Sequence, residues 1–195
     1  MLTAIPPATD LRRHLQRGGL VVVRCATGQP VEPTRQLGRA CCARLLAALA
    51  EDGVPPLRHV SRSATDGLAA VALAQAAPVG VDVERLRLEL LDDDLSAAAL
   101  HPSERTAPCT PERFFALWVR KEAVLKAMGI GLALAPASFA AGPASARWTT
   151  LRPDGARRVR VRSLGATQGV HAAVATLGDE AALWCIDIDA RTAPA

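Results

Sequence analysis

The sequence contains an internal repeat, which constrains the fold more than its other features do. Leu68-Ala-Ala-Val-Ala is echoed by His171-Ala-Ala-Val-Ala 103 residues later, and Val81-Asp-Val-Glu by Ile186-Asp-Ile-Asp 105 residues later. A helical pattern precedes each echo, and two short strands joined by a turn predict a β-hairpin. Alanine-rich echoes also arise by chance. The order nevertheless predicts an α+β fold with two similar halves, residues 1–86 and 87–195, related by a pseudo-twofold. Each half would be a small antiparallel sheet packed with helices.

Composition excludes several classes of protein. The 195 residues are 50% hydrophobic, enough for a sizeable core, and no run of apolar residues is long enough to cross a membrane. No signal-peptide pattern is present at the N-terminus, so we expect a cytoplasmic protein. The net charge of +4 favours anionic partners, but only 3% of the residues are aromatic, too few for a nucleic-acid stacking platform. We therefore expect neither a nucleic-acid nor a membrane partner. Five cysteines without CxxC spacing indicate buried, reduced thiols.

Two helices are predicted from apolar spacing and end signals. Residues 34–50 place Leu37, Cys41, Leu45 and Leu49 at intervals of four, which predicts a buried stripe. The second helix follows Thr110 and Pro111, typical residues of a helix start, and stops at Gly129. Its buried stripe is predicted to contain five apolar residues: Phe114, Leu117, Trp118, Leu125 and Met128.

The strand Val79-Gly-Val-Asp-Val-Glu84 offers two carboxylates at strand spacing. Side chains alternate along a strand, so its valines face the core while Gly80, Asp82 and Glu84 share the other face. The two acids would lie about 7 Å apart. That is close enough to share one hard cation, and Gly80 would leave room for a ligand. The alternative is an ordinary edge strand with a solvated acidic face.

The second helix adds Glu122, which stands between Lys121 and Lys126. Glu122 and Lys126 have the (i, i+4) spacing of an ordinary surface ion pair, and that is the alternative interpretation. Taken together with the strand, three acids and two lysines meet the needs of Mg²⁺, which keeps coordination positions open for phosphate oxygens and water. The combination indicates a divalent metal that holds a phosphorylated substrate.

These segments resemble the signature of the 4′-phosphopantetheinyl transferases. Gly80-Val-Asp-Val-Glu84, His101-Pro-Ser-Glu104 and Trp118-x-x-Lys-Glu-Ala-x-x-Lys-Ala-x-Gly-x-Gly-Leu132 occur in the family's order and at its approximate spacing. Upstream, Val60-Ser-Arg-Ser63 looks like the family's serine-histidine-serine strand. The resemblance extends from roughly residue 35 to residue 175. Length and internal repeat fit the monomeric, two-halved surfactin-synthetase-activating type, not the short trimeric type.

The resemblance implies transfer of the 4′-phosphopantetheine arm of coenzyme A to a serine of an acyl or peptidyl carrier protein, with release of adenosine 3′,5′-bisphosphate. The Mg²⁺ ligands would be Asp82, Glu84 and Glu122. Glu122, directly or through a metal-bound water, would also be the base for the serine, and Lys126 would stabilise the leaving group. The implied coenzyme A contacts, in a cleft between the two halves, are Ser61, Arg62, Arg39, Lys121 and Lys126.

The chain departs from the family pattern at several positions. Arg62 stands where the family usually has histidine, and Val119 where it usually has serine or threonine. The stretch between Leu49 and Val60 lacks the glycine-x-lysine-proline element of many relatives. Two rival functions stay open: a magnesium-dependent phosphohydrolase that uses the same three acids, and a non-catalytic relative that only binds carrier proteins.

Overall fold

The computed structural model describes residues 7–87, 92–105, 109–165, 169–179 and 182–189. The chain forms two compact units, one of residues 1–79 and 178–195 and one of residues 80–177. Each unit contains a four-stranded sheet packed with helices, which confirms the predicted α+β class. No described helix combines the length and the apolar character that crossing a membrane requires.

The described residues form four α-helices and eight strands, besides three short 3₁₀ helices. In chain order they are α1 (Ala8–Gln16), β1 (Leu20–Ala26), α2 (Val31–Glu51), β2 (His59–Thr65), β3 (Leu68–Ala74), β4 (Val79–Arg85), α3 (Asp93–Ala99), α4 (Pro111–Met128), β5 (Thr149–Leu151), β6 (Val159–Ser163), β7 (Val170–Thr176) and β8 (Leu183–Asp189).

The first unit is built on a sheet with the strand order β2-β3-β1-β8. β3 is antiparallel to both β1 and β2, whereas β8 is parallel to β1. Arg24 and Asp187 lie opposite one another on β1 and β8 and form a bidentate ion pair with N–O distances of 2.6 and 2.8 Å. Asp187 belongs to Ile186-Asp-Ile-Asp, the second copy of the acidic repeat, and its carboxylate is therefore used in an ion pair within the sheet. Helices α1 and α2 supply apolar side chains such as Leu15 and Leu49 to the core of this unit.

The buried face of α2 differs from the predicted stripe. The fully buried positions are Thr34, Gly38, Cys42 and Leu49, while Leu37 is 42% exposed. Gly38 explains the change, because a Cβ at this position would lie only 2.6 Å from the Cβ of Ala69 on β3. The helix turns its glycine toward the sheet, and this rotation moves Leu37 outward.

The second unit is built on a sheet with the strand order β4-β7-β6-β5. Helix α4 covers one face, and its residues Val119, Ala123 and Val124 share a core with Val161 and Ala175 of the sheet.

The predicted ends of α4 are confirmed. The Thr110 hydroxyl accepts a hydrogen bond from the Arg113 amide (3.3 Å), and Gly129 adopts φ = 68°, a left-handed conformation that favours glycine.

The predicted hairpins are wrong. β3 pairs with β1 and β2, and β4 joins β7 in the other sheet; β7 and β8 likewise belong to different sheets. The chain thus changes units near residues 79 and 178, not between residues 86 and 87. The reason is that β3 is buried along almost its whole length and takes partners on both edges, which β1 and β2 provide. A short turn between two strands does not require that they pair with one another.

The thiols match their prediction in part. No disulfide links the five cysteines, all of which lie in the described residues. Cys25 and Cys42 are buried, Cys41 and Cys109 are half-buried, and Cys185 is exposed.

Candidate functional site

β4 packs closely against α4 at Gly80. A Cβ at this glycine would lie 2.1 Å from the carbonyl oxygen of Ala123 and 2.5 Å from the amide nitrogen of Ala127. No side chain fits at such distances, so glycine is what lets the helix backbone reach the strand. The room that the sequence suggested for a ligand beside Gly80 is filled by the helix. The acidic residues that follow Gly80 on β4 therefore lie next to α4.

The structure brings Asp82 and Lys126 together. Asp82 is only 3% exposed, so its predicted alternative as a solvated acid does not hold. The Lys126 ammonium donates to Oδ1 of Asp82 at 2.7 Å and to the carbonyl oxygen of Val81 at 3.2 Å. This ion pair joins the two elements of the predicted site, whereas the alternative interpretation paired Lys126 with Glu122 on one helix.

Glu84 and Glu122 share the electrostatic field of Asp82. The pKa of Glu84 is raised to about 7, mainly by burial and also by the charges of Asp82 and Glu122, whereas Arg87 and Lys126 oppose the increase. Burial raises the pKa of Glu122 as well, and Asp82 adds to the increase while Lys126 opposes it. Three carboxylates therefore stand close enough to disfavour one another's charge, and together they attract more positive charge than Lys126 supplies.

The chemistry of this acidic cluster, Asp82, Glu84 and Glu122, fits a hard divalent cation. Carboxylate oxygens are the ligands that Mg²⁺ prefers, and a cation offsets both the burial and the mutual repulsion that raise the pKa values of the two glutamates. In the described part of the chain, no three His, Cys, Asp or Glu side chains stand in the arrangement of a formed metal site. The donor set is suitable for the ion, whereas its ligand geometry is not formed.

Lys121 occupies a different place from the predicted phosphate contact. Its side chain is fully buried, and its ammonium pairs with Glu104 at 2.8 Å. It also donates to the carbonyl oxygens of Pro136 (2.8 Å) and Phe139. An ammonium group has three donors, and all three are used inside the unit. We therefore assign Lys121 a structural role.

Glu104 is the residue whose importance the sequence did not reveal. It lies within the segment His101-Pro-Ser-Glu104, where the sequence pattern indicates no role for it. It is buried and accepts hydrogen bonds from the amides of His101 (2.9 Å) and Ala141 (2.8 Å) in addition to Lys121. One signal was available: the chain has 21 arginines but only two lysines, Lys121 and Lys126. A residue type used so sparingly indicates sites that need a compact ammonium instead of a guanidinium.

Arg120 continues the same buried network. Its guanidinium donates twice to the carbonyl oxygen of Ala141, at 3.1 and 2.9 Å, and once to the Ser163 hydroxyl at 3.3 Å. Burial lowers its pKa to about 10, although the charge of Glu104 opposes the change. Adjacent cations on α4 thus hold the chain segment that follows the helix.

The first unit has an arginine-lined cavity of about 260 Å³. Its polar walls include three of the unit's arginines and a serine of β2: Arg35, Arg39, Arg62 and Ser63. Arg62 also hydrogen-bonds the Cys42 thiol, which partly offsets the increase in the pKa of Cys42 that burial causes. The structure therefore groups Arg39 with Arg62, as the sequence suggested. Ser61 lies outside this lining.

Comparisons with known proteins bear on the acidic cluster. A comparison with curated proteins finds no match for this chain. The family model described as the 4′-phosphopantetheinyl transferase superfamily matches residues 78–180. This range covers more than half of the chain and includes β4 and α4 with their acids and lysines. The chain belongs to the 4′-phosphopantetheinyl transferase superfamily.

Proposed function

We propose that the chain transfers the 4′-phosphopantetheine arm of coenzyme A to a serine of an acyl or peptidyl carrier protein, with Mg²⁺ and with release of adenosine 3′,5′-bisphosphate. The observation that carries the proposal is the packing of Asp82 against Lys126 beside Glu84 and Glu122. We also propose that it is of the surfactin-synthetase-activating type, since two sheet-and-helix units lie within one chain.

Asp82, Glu84 and Glu122 would hold the metal, which when bound supplies positive charge to the pyrophosphate of coenzyme A. Burial, together with the charge of Asp82, raises the pKa of Glu122, which makes this carboxylate a stronger base than an exposed glutamate. In the proposed reaction the serine oxygen forms a bond to the pyrophosphate phosphorus nearer the pantetheine, and the serine proton passes to Glu122. The bond from that phosphorus to the oxygen of the adenosine-side phosphate breaks.

Lys126 would stabilise the departing adenosine 3′,5′-bisphosphate. Its ammonium already lies at the acidic cluster, and its side chain is 31% exposed, so it can donate to a phosphate oxygen held there. Phosphoryl transfer depends mainly on positioning and on neutralisation of charge. A carboxylate base, a bound metal and a partly exposed ammonium are therefore the groups that this chemistry needs.

The test is to mix the chain with coenzyme A, Mg²⁺ and an apo carrier protein and to measure intact masses. We expect one arm to be added to the carrier, and none to a carrier whose acceptor serine is alanine. Asp82→Asn and Glu122→Gln should each lower the rate by at least about 10²-fold, with unchanged circular dichroism. Breakdown of coenzyme A without a carrier protein would instead identify a phosphohydrolase. Carrier binding without transfer would identify a non-catalytic relative.

We further propose that the arginine-lined cavity takes the 3′-phosphate of coenzyme A, since Arg62 offers a planar pair of donors suited to phosphate. Arg62→Ala should weaken binding of coenzyme A by about 1–3 kcal/mol and leave 3′-dephospho-coenzyme A little affected. Arg17→Ala, an exposed change on the same unit outside the cavity, is the control. Equal losses for both ligands, or no loss, would remove Arg62 from the binding site.

A further inference from the structure

The positive charge of the chain is concentrated in one hairpin. Residues 147–162, here called the basic hairpin, contain six arginines and one acid, whereas the rest of the chain has 17 basic and 18 acidic residues. The hairpin consists of β5 and β6, which pair antiparallel, and β5 is the last strand of its sheet. The hairpin therefore carries a net charge of +5 and the rest of the chain a net charge of −1, so the excess of positive charge lies at one edge of the second unit.

Several of these arginines are held in place within the unit. The guanidinium carbons of Arg160 and Arg162 lie 5.8 and 5.6 Å from the centre of the Trp148 ring. At the turn, Arg157 pairs with Asp154 at 2.7 Å. Arg147 and Arg158 are exposed at opposite ends of the two strands. Arg160 is buried and packs within the hairpin, whereas Arg147, Arg157 and Arg158 are exposed. Of these, Arg157 is held by its ion pair and so loses little conformational freedom when it binds a partner.

The basic hairpin is joined to the end of α4. Arg157 donates to the carbonyl oxygen of Met128 at 3.3 Å. Met128 lies about 9 Å along the helix axis from Glu122, at 1.5 Å per residue. Leu132 follows the helix and is 69% exposed, more than any other large apolar residue in the described part of the chain. An apolar contact beside a charged rim is the usual composition of a protein–protein interface.

We infer that the basic hairpin and Leu132 form the docking surface for an acidic face of the carrier protein, an inference that rests on the proposed function. Charge complementarity selects this partner, since neighbouring cations attract an acidic protein face and orient it as it approaches. The connection through Met128 places the docked protein beside the helix that bears Glu122. A nucleic acid fits this surface less well, because bases need free aromatic rings on which to stack. The one tryptophan of the hairpin, Trp148, already contacts Arg160 and Arg162.

The test separates docking from chemistry. Binding is measured by fluorescence anisotropy with a labelled carrier protein whose acceptor serine is alanine, and transfer is measured separately with the intact carrier. Arg147→Glu/Arg158→Glu should raise the carrier Kd about tenfold at low salt, less at high salt, and leave the KM for coenzyme A unchanged. Arg13→Glu/Arg17→Glu makes the same change in net charge at exposed positions of the first unit and should have little effect. Leu132→Ala should weaken binding equally at all salt concentrations.

An equal increase in the carrier Kd for both double variants would show a general effect of net charge and would overturn the docking surface. Unchanged carrier binding by Arg147→Glu/Arg158→Glu would overturn it as well. The docking surface would also be overturned if the wild type did not bind the carrier but bound duplex DNA or phosphatidylserine vesicles through Arg147 and Arg158. Wild-type binding that depends on Arg147 and Arg158 without transfer would support the surface and refute the proposed function. Transfer at the wild-type rate by both double variants would support the proposed function and overturn the docking surface.

Discussion

The two lysines of α4 should respond in opposite ways to the same change. Lys121→Met keeps the length of the side chain but leaves Glu104 buried without its cation and two backbone carbonyls without a donor. Breaking a buried ion pair in this way costs about 3–5 kcal/mol. Lys126→Met should cost less, about 1–3 kcal/mol, because the Lys126 side chain is 31% exposed, although the change removes the ammonium from the buried Asp82. We expect Lys126→Met to lose transfer activity while remaining folded.

The assay is urea unfolding followed by circular dichroism, combined with the KM for coenzyme A at a temperature where each variant is folded. Glu104→Gln serves as the partner variant, and the double change Glu104→Gln/Lys121→Met should cost less than the two single losses added together, since it leaves no unpaired buried charge. A Lys121→Met variant that loses less than about 1 kcal/mol of stability and has a strongly raised KM for coenzyme A would refute the reasoning. Lys121 would then return to the site as a phosphate contact.

Three further predictions concern other contacts. Gly80→Ala should lower the free energy of unfolding by about 3 kcal/mol, because its methyl group meets the backbone of Ala123; thermal unfolding measures this. Without metal, stability should fall as pH rises from about 5 to about 7, because folded Glu84 keeps its proton to a pKa of about 7 while the unfolded chain has released it. Glu84→Gln should flatten that decline, and an unchanged slope would exclude Glu84 as its source. The alkylation rate of Cys41 should rise with a midpoint near pH 7, since a hydrogen bond from Cys25 lowers its pKa, and Cys25→Ala should move the midpoint upward.

What could be predicted from the sequence was local. Thr110, Pro111 and Gly129 act within one turn of a helix end, so the limits of α4 followed from their own chemistry. The alternation on β4 correctly grouped Gly80 with Asp82, because that pattern depends only on the strand. Which strand lies beside β4 depends on residues some ninety positions away, and a short turn does not reveal it.

The site was predictable to the same extent. Asp82 and Lys126 belong to one motif set, and the structure brings them together. Lys121 belongs to the same motif, yet five residues along a helix of 3.6 residues per turn place it on a different face. The sequence could not say which face is covered, because Glu104, Pro136 and Phe139 that cover it come from other segments.

The parallel pairing of β8 with β1 has a consequence for synthesis on the ribosome. Residues 80–177 form a continuous unit, which can fold as soon as it has emerged. The other unit cannot complete its sheet at that stage, since β1 obtains its β8 partner only when residues 183–189 have been made. Until then one edge of β1 and its Arg24 lack that partner, and an open strand edge invites aggregation. The interval between the first and last strands is the period in which a nascent chain of this kind most needs a chaperone.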